Sequence, residues 1–266
     1  MWNIPAEWEE GLPRPIIGNE SSVANTAITE WHSHPWLQFS YALEGVIEVK
    51  TATGHYMAPP QRAVLIPAGE MHSVQASSST IIRSLYVRAE AMNALPMRCK
   101  VLNVSPLLRE LIRSFSQLPQ NYPETGSPLR LAQVLLDQIQ SATESGLMLV
   151  WPTDPRIVEL CLRLQADAAH PQTLSDYAAE TGVSVKTLSR LFLSETGISF
   201  RAWRQQRRLM HALSLLENKE RVTDVALACG YESLSAFIAA FRKVMGATPT
   251  DFFQLPHQGQ ADDIVL

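Results

Sequence analysis

The stretch Trp31 to Gly45, "WHSHPWLQFSYALEG", sets His32 and His34 one residue apart, with Gln38 four residues on and Gly45 seven beyond that. Imidazole and amide groups either ligate a metal or hydrogen-bond a small molecule. In an extended strand, residues two apart point to one face, so the spacing lets His32 and His34 reach one interior together. Two uses follow and these residues leave both open: ligands of a metal, or the floor of a pocket that senses an effector. A second concentration of chemistry lies far along the chain, in "SFRAWRQQRRLMHALSLLEN". Arg201, Arg204, Arg207 and Arg208 line one helical face at spacings of three and four, a cationic surface suited to phosphate.

The elements that must position these residues divide the chain. Residues 1–25 read as an irregular leader with Pro5, Pro13 and Pro15. Residues 26–100 carry strand signals: "GVIEVKTATGHYM" alternates and turns at Thr53-Gly54, "RAVLIPAGEMH" is a short apolar run stopped by Pro67 and Gly69, and "STIIRSLYVR" alternates again. Short strands at close spacing predict a sandwich or barrel. Residues 101–145 turn helical. Ser105-Pro106 and Ser127-Pro128 stand as N-cap and N1 of two helices whose apolar faces are expected to pair two chains. Residues 146–154 have the Gly and Pro content of a linker, 155–256 read as helices throughout, and 257–266 form a tail.

At 266 residues the chain has room for two domains. The N-terminus lacks a cationic region followed by an apolar stretch, so no signal peptide is expected, and no run of 18 apolar residues suggests a membrane span. Cys99, Cys161 and Cys229 are scattered and odd in number, as expected of reduced thiols in a cytoplasm. The net charge of −4 is unevenly shared. Residues 155–256 hold 12 lysines and arginines against 10 acids, whereas the rest is acidic, which hints at divided labour.

An internal repeat sharpens that hint. "TLSDYAAETGVSVKTLSRLFLSETG" is echoed by "RVTDVALACGYESLSAFIAAFRKVMG", with Asp176, Ala178 and Gly182 matching Asp224, Ala226 and Gly230 at an offset of 48. Each copy is a helix ending at a glycine, a tight turn and a second amphipathic helix, which is the helix-turn-helix layout. Thr173 with Asp176 reads as a capping box, whereas Arg221 at the equivalent place cannot cap. With "VTDVALACGYESLSAFIAAFRKVMGATPTDF" ending in Gly-x-x-Pro, residues 155–253 resemble the DNA-binding domain of the AraC/XylS family of transcriptional regulators. The resemblance implies seven helices, with two recognition helices entering successive major-groove segments roughly 34 Å apart. In the first, Leu188, Leu191 and Phe192 should face the core while Lys186, Thr187, Ser189 and Arg190 meet DNA, Arg190 as the best partner for guanine. The second offers only Leu234, Ser235, Ala236 and Ala239, which suit thymine methyls and shape, with Ser233, Arg242 and Lys243 as phosphate anchors. Arg201, Arg204 and Arg207 are expected at phosphates.

His32-x-His34-x3-Gln38-x6-Gly45, followed by "PAGEMH" ending at His72, resembles the two motifs of the cupin barrel. Together the two resemblances imply an α+β chain: an N-terminal cupin-like β-barrel plus a C-terminal all-α domain with two helix-turn-helix motifs. The cupin motifs bear on the barrel alone. They also imply a divalent metal held by His32, His34, Gln38 and His72, for which neutral imidazoles suit Zn, Ni, Fe or Mn. Gln38 stands where cupin enzymes have glutamate; an amide is a weaker ligand and no base. The four residues otherwise line an effector pocket, to which Trp36, Tyr41, Tyr56 and Met71 could contribute. His55, His170, His211 and His257 read as surface residues and Cys229 as a small buried one. The function expected is a cytoplasmic, effector-responsive regulator, not an enzyme. Its expected partners are promoter DNA, a small-molecule effector, RNA polymerase and a second copy of the chain, with no membrane. The alternative is a cupin-type dioxygenase or isomerase with an accessory helical domain, and a third reading is a constitutive regulator whose barrel only dimerises.

Overall fold

Alternation of apolar and polar residues in the N-terminal half yields short antiparallel strands in the computed structural model, which describes residues 8, 11–21, 30–44, 46–59, 61–76 and 81–254. Gly45, His257 and the 257–266 tail lie outside these residues. The strands are β1 (Ile16–Ser21), β2 (Leu37–Glu44), β3 (Ile47–Thr51), β4 (Gly54–Ala58), β5 (Arg62–Ile66), β6 (His72–Ala76), β7 (Ile81–Val87), β8 (Lys100–Asn103), β9 (Glu144–Ser145) and β10 (Met148–Val150). They form a six-stranded sheet ordered β1-β7-β2-β5-β8-β9 and a four-stranded sheet ordered β10-β4-β3-β6. Ala42, Val64, Ile66, Ile82 and Val101 of the first sheet share a core with Ile47, Val49, Tyr56 and Val74 of the second. The other face of the six-stranded sheet carries Leu37, Phe39, Tyr41, Leu65 and Leu85, which pack with α1 (Pro106–Phe115) and α2 (Gly126–Ser141).

Three expectations about organisation need correction. The leader contains a strand: β1 pairs with β7, because Ile16 and Ile17, just past the last proline, are fully buried. The apolar stripes of α1 and α2 cover the outer face of the six-stranded sheet, where Leu108, Ile112, Phe115, Leu135 and Ile139 are buried. Leu107 and Val134 are left exposed on them. Ser105 does cap α1, accepting from the Leu108 N–H, but α2 starts at Gly126, one residue before Ser127, and Thr125 makes no side-chain cap bond. The expected linker is β10, which pairs antiparallel with β4. Leu147, just before it, and Leu149 are buried while Met148 and Val150 are half-buried, so the alternation in "LMLV" outweighs the flanking Gly146 and Pro152.

The C-terminal region holds seven helices among the described residues: α3 (Pro155–Ala166), α4 (Leu174–Thr181), α5 (Val185–Thr196), α6 (Phe200–Glu217), α7 (Val222–Ala228), α8 (Leu234–Met245) and α9 (Pro249–Gln254). Their N-termini are set by side chains. Asp154, Ser184, Ser199 and Ser233 each accept a backbone N–H, and Thr173 with Asp176 completes a capping box. Arg221 caps nothing and instead bonds Asp224 at 2.8 Å. The helical core of Leu188, Phe192, Trp203, Leu213, Phe237 and Phe241 is continuous with Leu149 and the core between the sheets. Trp203 donates its indole N–H to the Val150 carbonyl at 2.9 Å. Glu195, near the end of α5, accepts from the Thr153 N–H, the Thr153 hydroxyl and the Asp154 N–H. Trp151 donates its backbone N–H to the Thr53 carbonyl at 3.1 Å and stacks on His55, ring centroids 4.7 Å apart. His55 is therefore an interdomain packing residue and not a surface one. His170 and His211 are likewise half-buried, Nδ1 of His170 accepting the Gln172 N–H.

Since Leu149 belongs to β10 and to the core shared with the helices, Leu149→Ala should destabilise the chain by about 2–5 kcal/mol. Urea unfolding followed by circular dichroism and by tryptophan fluorescence should shift together. A loss below about 1 kcal/mol, or a shift in only one signal, would mean that β10 does not join the two regions.

Candidate nucleic-acid interface and barrel site

Each helix-turn-helix is built by the same local chemistry. α4 ends at Gly182 (φ +69°), α5 starts on Ser184 and ends at Gly197 (φ +74°). α7 runs into Gly230 (φ +72°), and α8 starts on Ser233 and ends at Gly246 (φ +83°). Gly230 is required twice over. Its φ is left-handed, and a Cβ there would lie 2.9 Å from the Ala169 Cα and 2.7 Å from an Arg208 nitrogen. With Leu188 and Phe192 buried and Leu191 half-buried, α5 exposes Lys186, Ser189 and Arg190. Thr187 is half-buried, with its hydroxyl 2.9 Å from Ser184 Oγ. α8 buries Phe237, Phe241 and Met245, and exposes Leu234, Ser235, Ala236, Ala239, Arg242 and Lys243. Ser235, Ile238, Ala239, Arg242 and Lys243 line a groove with an apolar floor and a cationic edge. Ser233 Oγ accepts the Ala236 N–H, so its first task is the cap.

The arginines of α6 do not form the cationic face that their spacing suggests. Arg201 is exposed. Arg204 donates to the carbonyls of Gln172 (3.1 Å) and His170 (2.7 Å), and Arg207 to that of Gln165 (2.8 Å). Arg208 donates to the Ala168 carbonyl at 3.2 Å and lies over the Tyr231 ring. Arg204 and Arg207 are thus corrected from phosphate ligands to clamps on the connection between α3 and α4. The end of α3 and that connection present carbonyls without helical partners, and a guanidinium fork satisfies them. Burial lowers the pKa of both groups, and the carbonyls compensate for their desolvation. Nothing in a spacing of three and four separates a solvated arginine from one covered by a loop.

In the N-terminal region the histidines come together, though not as strand neighbours. His32 and His34 precede β2, which starts only at Leu37 after Pro35. His32 and His72 exchange two backbone hydrogen bonds of 2.9 Å as an isolated bridge. One ring nitrogen from each of His32, His34 and His72 lies within 4.8 Å of the others. All three Nδ1 atoms meet backbone carbonyls at 2.8 Å: His32 that of Glu30, His34 that of Trp36 and His72 that of Glu70. Each neutral ring then carries its proton on Nδ1 and its lone pair on Nε2. Nε2 of His34 is 2.8 Å from the Gln38 amide, which also reaches Ser40 Oγ at 2.8 Å. With the amide turned so that its NH2 group faces His34, every partner in that chain is satisfied. Burial lowers the pKa of His34 and pushes His72 down to about 4, so both are neutral at pH 7. Nε2 of His72 is buried without a partner, as is the indole N–H of Trp36.

An aromatic wall closes this site. Trp36 stacks on His34 at 5.5 Å, Tyr86 meets His34 edge-on at 5.8 Å, and Trp8 packs against both Trp36 and Tyr86. Trp8 and Tyr86 are the members that the sequence pattern did not reveal. Of the expected lining residues, Trp36 is in place and Tyr56 is buried in the core between the sheets. Tyr41 is corrected: it points to the outer face of its sheet and packs with the α1 and α2 cluster, because it is an odd number of positions from Gln38. Met71 is corrected too, being 51% exposed just before β6. The three cysteines are buried, and burial pushes the Cys229 thiol up to about 12.

Residues 17–149 match the family described as an AraC-like ligand binding domain, and residues 177–254 match a helix-turn-helix domain. The chain is 34% identical over 218 residues to the HTH-type transcriptional regulator NimR of Escherichia coli (strain K12), covering 82% of this chain and 80% of that protein. It is 29% identical over 164 residues to the virulence regulon transcriptional activator VirF of Yersinia enterocolitica, covering 59% of this chain and 60% of that one. The crystal structure of ToxT from Vibrio cholerae O395 aligns over 92% of this chain and 99% of its own at 13% identity, with a TM-score of 0.39, a superposition too loose to carry an argument.

The clamp geometry separates two arginines that sequence treats alike. Arg204→Ala should cost about 1–3 kcal/mol of stability, because two carbonyls lose a charged donor. Arg201→Ala, at an exposed site, should stay within about 0.5 kcal/mol. Urea midpoints of the two variants make the comparison, and equal small changes would return Arg204 to the solvated face.

Proposed function

Because the chain belongs to the AraC family of transcriptional regulators, whose members bind DNA and carry a ligand-binding domain, we propose that α5 and α8 read promoter DNA and that the site around His34 takes the effector. The observation that carries the reading is the matched pair of helix-turn-helix units, each glycine-jointed, serine-capped and exposing the outer side of its second helix. In this reading Arg190 makes a bidentate contact to guanine in the first half of the site, with Lys186, Thr187 and Ser189 beside it. α8 reads the second half through Leu234, Ser235 and Ala236, by methyl contact and groove shape. Arg201, Ser233, Arg242 and Lys243 hold phosphates.

The effector is a small molecule or a metal. A second copy of the chain docks on the helical layer where Leu107 and Val134 are exposed, and RNA polymerase is the further partner, all in the cytoplasm. Among the described residues no helix is long and apolar enough to cross a membrane. Against an enzyme reading stand the family and the chemistry of Gln38. Its amide is tied between His34 and Ser40 and has no proton to exchange as a carboxylate would.

The test starts from duplexes selected out of a random-sequence pool by the full protein. Arg190→Ala should lose about 1–3 kcal/mol on the selected duplex and discriminate less at one position, with little loss on scrambled DNA. Equal loss on both duplexes would reduce Arg190 to a phosphate contact. Failure to select any sequence would overturn the reading of α5 and α8.

A further inference from the structure

We propose that the cleft between the two helix-turn-helix units is a phosphate-binding site, formed by Arg201 and Arg208 of α6 and Tyr231 of the α7–α8 turn. It deepens the reading of these units as a DNA-binding pair by adding a site between them, and it rests on that reading for one of its two sources of phosphate. The cleft lies along the first half of α6. Ala169 and Pro171 of the α3–α4 connection bound it on one side, and Gly230 to Glu232 on the other. Its volume is about 570 Å³, within the roughly 300–1,000 Å³ usual for small-molecule sites.

The charge of this cleft is unbalanced. Ion pairs in the helical region join Arg156 to Asp154, Arg163 to Glu159 and Glu180, and Arg221 to Asp224. Among the described residues Arg201, Arg204 and Arg208 therefore have no carboxylate partner. Against them the described lining sets the carboxylate of Glu232. Burial and the neighbouring Arg208 charge both lower the pKa of Arg204, and an anion between the guanidinium groups relieves that repulsion.

Hydrogen-bond donors of the same wall are unspent. Arg204 keeps its clamp on the Gln172 and His170 carbonyls, but its Nε is buried without an acceptor. The Tyr231 hydroxyl is buried without a partner as well. Burial pushes the Tyr231 pKa up to about 12, so at pH 7 the group is neutral and can donate. Arg208 bonds the Ala168 carbonyl through Nε and lies over the Tyr231 ring, 5.7 Å from its centroid, which leaves its terminal nitrogens for a ligand. Gly230 makes room for that guanidinium, since a Cβ there would lie 2.7 Å from one of its nitrogens. Buried donors without acceptors are costly, and a ligand that accepts from this wall accounts for both. The donors come from α6 and from the α7–α8 turn, so a tetrahedral group with oxygens on several sides fits better than a planar carboxylate. Guanidinium forks match phosphate oxygens in pairs. The phosphate belongs either to the DNA backbone between the two halves of the site or to a free phosphorylated molecule.

The full chain is titrated without DNA with sodium phosphate, against chloride at equal ionic strength, by calorimetry and thermal melts. Saturable binding with a raised Tm is expected. Arg201→Gln and Tyr231→Phe should each weaken it by about 5–10-fold, and Glu232→Gln should tighten it by about 2–5-fold. Because the Tyr231 hydroxyl has no partner, Tyr231→Phe should leave the phosphate-free Tm unchanged or raised, which separates lost binding from lost folding. A second arm uses the selected duplex with single backbone phosphates replaced by uncharged methylphosphonates. A replacement between the half-sites that costs the wild type about 10-fold, and Tyr231→Phe less than about twofold, assigns the site to DNA. Phosphate binding without such a coupled position assigns it to a free phosphorylated molecule. With no coupled position, either the absence of phosphate uptake or equal uptake by wild type and variants would remove the site. If no duplex is selected, the reading of α5 and α8 falls, and the phosphate titration alone decides this inference.

Discussion

The hydrogen bond from the Trp203 indole to the Val150 carbonyl, inside a core common to both halves, is the contact on which the arrangement of the chain depends. β10 has two loyalties. Its backbone pairs with β4 in the four-stranded sheet, while Leu149 and the Val150 carbonyl belong to the surroundings of α5 and α6. The buried Trp203 indole N–H takes its acceptor from a short strand at the edge of its sheet. Glu195 repeats the device from the other side, collecting three donors of the segment between β10 and α3. The far end of α5 is thus tied to the segment that follows β10. A segment with so many obligations is a poor hinge and a good transmitter of position.

The helix-turn-helix region depends on the same economy of hydrogen bonds. Arginines at 204, 207 and 208 are withdrawn from solvent to satisfy carbonyls between Gln165 and Gln172, which fixes the first helix-turn-helix against α6. Their charge therefore stays near the protein and not on its outer edge. Of the cationic groups left outside, Lys186 and Arg190 lie on α5, Arg201 on α6, and Arg242 and Lys243 on α8, while Arg156 and Arg221 are paired with Asp154 and Asp224. Such a sparse set is in keeping with a chain whose net charge is −4, because contacts must come from placement and not from a diffuse positive field.

The helical half was legible because its signals are local. Thr173, Ser184, Ser233, Gly182, Gly197 and Gly230 each mark a cap or turn by residue type, and the internal repeat doubles the evidence. The strand half was legible in type but not in bounds. Ile16-Ile17 and "LMLV" are short, and their status is set by partners far off in sequence, β7 and β4. The histidine cluster was read from spacing, yet the alternation argument that joined His32 and His34 does not apply, since neither belongs to β2. What brings them together is the backbone bridge from His32 to His72, a tertiary fact. Tyr41 shows the converse. Its pocket role fails on strand parity alone, because Gln38, Ser40 and Ala42 share one face of β2 while Phe39 and Tyr41 take the other.

Parity explains why one strand can serve two purposes. The outer face of β2 is wholly apolar and packs with α1 and α2, so it fixes the strand's register and twist without help from the interior. That leaves the inner face free to carry Gln38 and Ser40, residues that contribute little to cohesion and would weaken a core. Ser84, opposite Ser40 on β7, extends this polar strip, and Tyr86, opposite Gln38, hydrogen-bonds the Ser84 hydroxyl and meets His34 edge-on. A polar interior is tolerable only where its members hydrogen-bond, and here the chain Trp36–His34–Gln38–Ser40 does so, while His72 bonds the Glu70 carbonyl through Nδ1 alone. Nε2 of His72 and the indole N–H of Trp36 are the buried polar atoms of this site left without a hydrogen-bond partner. Stability set by the outer face and chemistry reserved for the inner one is what lets a small sheet domain hold a site at all.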